Sequence, residues 1–151
     1  MLNKDNGKLI LNSDFIIGPD ETAANLEKRS IIGLEDCGEV NGFRVFGGDR
    51  FKLFDRQCAI TIRFNGKKIR LIEIVWIDGP ANKLGYDATQ QDLLNEKRQW
   101  VKMLTKIFGR DVDDTSLGAD YFKFDWGLVT VNVDLRSQCC RVIVNYFWRG
   151  P

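Results

Sequence analysis

Apolar positions along this chain fall into two rhythms: alternation with period two, which marks strands, and spacing of three and four, which marks a helix. "GKLILNSDFIIGP" reads as two short strands about a turn at Asn12-Ser13-Asp14, the second ended by Pro19. Asp20 or Thr22 can then cap a short helix through about Arg29. "GLEDCGEVNG", with three glycines and three acids, reads as loop, and "FRVFGGDRFKLF" as a strand, a Gly-Gly turn and a second strand. "CAITIRFNGKKIRLIEIVWI" is the clearest hairpin. Ile60, Ile62 and Phe64 alternate with Ala59, Thr61 and Arg63, and Asn65-Gly66 forms a favoured two-residue turn. Ile72, Ile74 and Trp76 continue the apolar face, while Val75 and Ile77 imply that the far end is covered on both sides.

"DGPANKLGYD" reads as a connecting loop. Thr89 can cap one long helix over about 89–108, whose broad apolar face carries Leu93, Leu94, Trp100, Val101, Leu104, Ile107 and Phe108. Gly109 suits the position just past its end. After a polar loop come three strands, "YFKFDW", "LVTVNVDL" and "RVIVNYFW". In the second, Val129, Val131 and Val133 oppose Thr130, Asn132 and Asp134. Tight turns between strands make an antiparallel sheet, and a sheet with one apolar face needs a cover. The expected fold is α+β. Residues 1–151 form a single domain in which an antiparallel sheet of hairpins packs against one long amphipathic helix, with a short N-terminal helix besides.

Composition narrows the function more than it names it. The chain of 151 residues is 44% apolar and 28% charged, with 22 Lys and Arg against 21 Asp and Glu. That balance argues against non-specific binding to nucleic acid or acidic lipid. The start lacks a secretory signal and no run is long enough for a membrane span, so the expected location is cytoplasmic. Cys37, Cys58, Cys139 and Cys140 are then expected as thiols. There is no histidine, which removes Ser-His-Asp and Cys-His activation and the commonest metal ligand.

Cys139 and Cys140 are neighbours, so a strand points them to opposite faces, and neither zinc spacing nor a C-x-x-C motif is present. Arg136 and Arg141 could in principle stabilise a thiolate, but one buried and one near-surface cysteine is the simpler reading. "GRDVDDTSLGAD" gathers Asp111, Asp113, Asp114 and Asp120. As a calcium loop it fails, because Ser116 and Phe122 stand where the pattern needs Gly and Glu. A solvated loop or an acidic patch for a basic partner remains. Arg98, Lys102 and Lys106, with Lys97 beside them, form a basic helix stripe: a wet face, or alternatively an RNA contact. The terminal "FWRGP" is either an exposed aromatic anchor or core packing. Nothing calls for a cofactor or metal. Glu73 and Asp125 are the remaining carboxylates that could pair.

The order of "GKLILNSDFIIGPDET", "FNGKKIRLIEI", a helix ending "LTKIFG", "YFKFDWGLVTVNVD" and "RVIVNYFW" resembles small bacterial immunity proteins of contact-dependent inhibition and related polymorphic toxin systems. The resemblance is one of layout and covers most of the chain. It implies a non-catalytic protein that binds a cognate toxin domain, such as a nuclease, and blocks its active site. Acidic patches complement basic nuclease clefts, so Glu35, Asp36 and Glu39 with Asp111, Asp113, Asp114 and Asp120 are the expected interface. The competing readings are a small carboxylate- or cysteine-dependent enzyme, or an RNA-binding adaptor using the basic stripe.

Overall fold

The computed structural model describes residues 1–12 and 15–146. The turn residues Ser13 and Asp14 and the terminal "FWRGP" therefore lie outside the described residues. A small hairpin, β1 (Leu9–Leu11) and β2 (Phe15–Ile17), leads into α1 (Ala23–Arg29), capped by the Thr22 side chain. Four strands follow: β3 (Glu35–Val40), β4 (Phe43–Leu53), β5 (Arg56–Asn65) and β6 (Lys68–Trp76). Next come α2 (Pro80–Leu84), a 3-10 turn (Gly85–Asp87) and α3 (Gln90–Phe108). The chain continues with β7 (Asp114–Ser116), β8 (Ala119–Phe124), β9 (Gly127–Asp134) and β10 (Cys139–Asn145). The strands from β3 onward form one antiparallel sheet in the order β3-β4-β5-β6-β10-β9-β8-β7. The fold is thus mixed α+β, dominated by a large antiparallel sheet.

Four details depart from the sequence pattern. The helix inventory is not one long and one short N-terminal helix: α2 lies immediately before α3, started by Pro80 in its first turn. A five-residue helix is too short to show a period, so only its proline marked it. Residues 35–40 are not loop but an edge strand, held by pairing with β4 and not by any apolar alternation. Gly47-Gly48 is no turn either. β4 runs straight through it, with an irregularity between Gly48 and Phe51. A Cβ on Gly48 would lie 1.9 Å from the Gly33 carbonyl oxygen, so glycine is required there by close approach of another segment. The β5–β6 turn is shifted as well. Asn65 pairs with Lys68, leaving Gly66-Lys67 as the two-residue loop, with Gly66 at φ +63° and Lys67 not left-handed. That suits a type II′ turn rather than an Asn-Gly type I′.

All three helices relate to one face of the sheet or its end. Ile60, Ile62, Phe64, Ile72, Ile74, Val129, Val131, Val142 and Val144 are buried on that face, and α3 packs against its β9 and β10 strands. Thr89 and Asp92 form a capping box at the start of α3, and Gly109, at φ +67°, closes its end. Trp100, fully buried, meets Phe54 and Trp76 edge-on at centroid distances of 6.0 and 6.2 Å. Phe108 meets Phe122 and Phe124 the same way at 5.1 and 5.0 Å. The N-terminal segment is tied beneath the β8–β9 turn. Trp126 Nε1 donates to the Lys4 carbonyl at 2.8 Å, and the Tyr146 hydroxyl donates to the Gly7 carbonyl at 2.6 Å. Among the described residues, no helix is long and apolar enough to cross a membrane.

Candidate partner-binding surfaces

The two acidic groups singled out from sequence end up at opposite edges of the sheet. Glu35, Asp36 and Glu39 ride on β3, one edge strand; Asp114 lies on β7, the other edge. Seven inter-strand steps of ~4.8 Å put the edges roughly 34 Å apart, so the structure does not bring the groups together.

Several of these acids already have partners inside the protein. Arg44 donates to Asp36 at 2.5 and 3.3 Å, and this pairing holds the Asp36 carboxyl below its usual range. Asp113 accepts from the Lys123 backbone N–H at 2.7 Å and pairs with Arg110 at 3.1 Å. Asp120 and Lys97 form a largely buried pair at 2.9 Å. Asp114 lies 3.9 Å from Lys123. Glu35, Glu39 and Asp111 are exposed and carry no side-chain partner among the described residues.

Lys97 is thereby removed from the basic stripe. Arg98, Lys102 and Lys106 do share the exposed side of α3, but Trp100 is buried on the opposite side. The stripe lacks the aromatic platform that single-stranded RNA recognition uses.

The cysteine pair behaves as strand geometry requires. Cys140 is buried on the core face and Cys139 is half-buried on the other. Burial pushes both thiols up, and pushes Cys58 up to about 12. A thiol raised in this way stays protonated near neutral pH and is a poor nucleophile. Among the described residues no group of three or more Cys, Asp or Glu is placed to hold a metal ion. An open groove of about 710 Å³ is lined by Met1, Ile10, Phe54, Met103 and Ile107 with Lys52 and Asp55. None of the candidate acids or cysteines borders it.

Sequence reasoning missed two polar features. The first is Glu96, 1% exposed within the apolar stripe of α3. Its carboxylate accepts from the Ala81 N–H at 3.3 Å and so anchors α2; burial raises its pKa. Beside it the Arg56 guanidinium lies 3.8 Å from the Trp76 ring and 4.5 Å from that of Trp100. The spacing held the clue for Glu96, which falls three residues after Leu93 and four before Trp100.

The second feature is a row of charges on the face that no described helix covers. Arg63 of β5 lies 3.5 Å from Glu73 of β6, and Glu73 lies 3.3 Å from Arg141 of β10. Arg141 in turn donates to Asp134 of β9. Glu73 is committed to this row, while Asp125 sits in the turn joining β8 and β9; no ion pair or hydrogen bond links the two. No family model, curated protein or solved structure matches the chain.

Proposed function

We propose that this chain is a non-catalytic binding protein of the toxin-neutralising kind, and that β3 presents its contact to a basic protein partner such as a nuclease domain. The observation that carries this reading is the edge strand itself. All six residues of β3 are exposed, it pairs only with β4, and Glu35 and Glu39 are unpaired carboxylates beside a pre-set Asp36–Arg44 pair. Charged edge strands also guard sheets against aggregation. Here the two free carboxylates face outward from a strand held at both ends of its ladder, Glu35 to Gly47 and Val40 to Phe43. A basic active-site cleft would be steered to that edge and occluded by it. The pattern of protonated thiols and internally paired carboxylates supports binding over catalysis.

The test has two stages. A toxin-like reading frame next to this one supplies the candidate partner, and co-expression should protect cells from it. With that partner in hand, Glu35→Lys combined with Glu39→Lys should weaken binding at least tenfold and flatten its salt dependence. Unchanged affinity in the double variant would overturn the assignment of β3, and failure of the protein to bind or protect would overturn the role.

A further inference from the structure

The uncovered face of the sheet carries a pattern that is complementary to itself. Arg63 pairs with Leu71 across the ladder, so Glu73 lies one diagonal step away; Glu73 pairs with Ile143, so Arg141 is the next step. Arg141 pairs with Asn132, which makes Asp134 the step after that. The four residues therefore form one straight diagonal across the adjacent strands β5, β6, β10 and β9, with charges in the order plus, minus, plus, minus. At ~7–8 Å per diagonal step the row is roughly 23 Å long. The opposite diagonal through the same centre carries Val75 and Ile143, both half-buried and apolar, with Leu128 beyond them.

Reversing an alternating row of four exchanges every plus for a minus. From this we infer that the face binds a second copy of the same chain, sheet against sheet, about a two-fold axis that lies in the interface and crosses the charged diagonal at right angles. Each Arg63 then faces the partner copy's carboxylate at position 134, and each Glu73 faces the guanidinium at position 141. A two-fold axis along the charged row would set every charge on its own copy, so the charges select one axis of the two. Residues near the chosen axis meet themselves and must be neutral, and Val75 and Ile143 stand there. With strand spacings of ~4.8 Å and rises of ~3.4 Å, strands of the two copies cross at about 70°, nearer the orthogonal than the aligned class of sheet packing. Four strands of this length offer on the order of 600 Å² per copy, below the ~800 Å² of a standard interface, so the dimer is concentration-dependent.

The experiment is sedimentation equilibrium of the full chain from ~5 to ~200 µM at low and high salt, ranges set by such a small, charge-rich interface. The expected result is a reversible shift from the 17.3 kDa monomer to twice that mass, weakened by salt. Arg63→Glu alone and Asp134→Lys alone should each abolish the dimer, and an equimolar mixture of the two should restore it, because both cross-contacts regain opposite charges. Asp134 also holds the β9–β10 loop through the Arg136 N–H. Should its variant not fold, Ile143→Lys provides the second arm: it puts two like charges at the axis and should raise the dimer dissociation constant at least tenfold with the circular dichroism spectrum unchanged. A wild-type protein that stays monomeric throughout, a mixture that does not restore the dimer, or an Ile143→Lys dimer as tight as the wild type would each overturn the inference.

Discussion

The two faces of the sheet divide the protein's residues by task. Beneath α3 the face is apolar and aromatic, closed around Trp100 and Phe108, and its polar intruder, Glu96, is pinned by the backbone of α2. On the opposite face Thr61, Glu73, Arg141, Asn132 and Thr130 alternate with the core positions of the same strands and keep partial exposure. Both faces rest on one set of backbone hydrogen bonds, so what separates them is only side-chain parity. The covered face supplies the stability, which leaves the open one free to carry charge at little thermodynamic risk. Substitutions at equal depth in the same strands should therefore differ sharply in effect according to face.

The largest effect is expected on the covered side. Trp100→Ala removes a fully buried ring that touches Phe54 and Trp76 and takes away one of the two rings on which the Arg56 guanidinium rests. A loss of about 3–5 kcal/mol in urea-unfolding free energy should follow. A loss below ~1 kcal/mol, the size expected at a surface position, would mean that α3 does not seal the core around Trp100. Thr89→Ala comes next at about 1 kcal/mol, because the Asp92 N–H loses its acceptor and the Asp92 carboxylate loses the Thr89 hydroxyl, while the backbone N–H of residue 89 keeps its bond to that carboxylate. A melting-temperature shift of ~2–4 °C is the corresponding readout for a chain of this size.

Much of the covered face was legible in the order of residues, and the reason is local. Ile60, Ile62 and Phe64 alternate within one strand, while Leu93, Trp100, Leu104 and Phe108 repeat within one helix, so each pattern is complete in a short window. β3 was not legible, because its six residues are all exposed and its strand state is imposed by pairing with β4. Gly48 was misread for a similar reason: the contact that demands glycine comes from Gly33, fifteen residues away. The charged diagonal lay furthest from view. Arg63, Glu73, Asp134 and Arg141 come into one row only through the pairing of β6 with β10, a junction that skips three strands and two α-helices in the chain. The acids chosen from sequence were visible as clusters, but which of them were free depended on Arg44, Lys97 and Arg110 reaching them from other elements.

A smaller, signed effect separates Glu96 from ordinary core residues. Burial raises its folded-state pKa above the usual value of 4.5, so the folded protein holds this proton more tightly than the unfolded chain. Wild-type stability must then fall as pH rises from that ordinary value through the raised one. Glu96→Gln keeps an acceptor for the Ala81 N–H and has nothing to titrate. Its stability relative to wild type should therefore climb from pH 4 towards pH 7 and be level below the ordinary carboxylate range. Parallel melting curves for the two proteins across that range would show that the carboxylate suffers no burial penalty.

The smallest effect belongs to the open face and tests the division most directly. Glu73 sits between two guanidiniums at 3.5 and 3.3 Å, which in a core would make it a severe site to neutralise. Its side chain is 17% exposed and those of Arg63 and Arg141 are 32% and 20% exposed, so water reaches all three charges. Arg141 also keeps Asp134 when Glu73 is replaced. Glu73→Gln should accordingly change unfolding free energy by only about 0.5 kcal/mol at concentrations where the chain is monomeric. A loss of ~3 kcal/mol or more, the mark of a broken buried pair, would place this face among the structural parts of the protein and erase the contrast between the two.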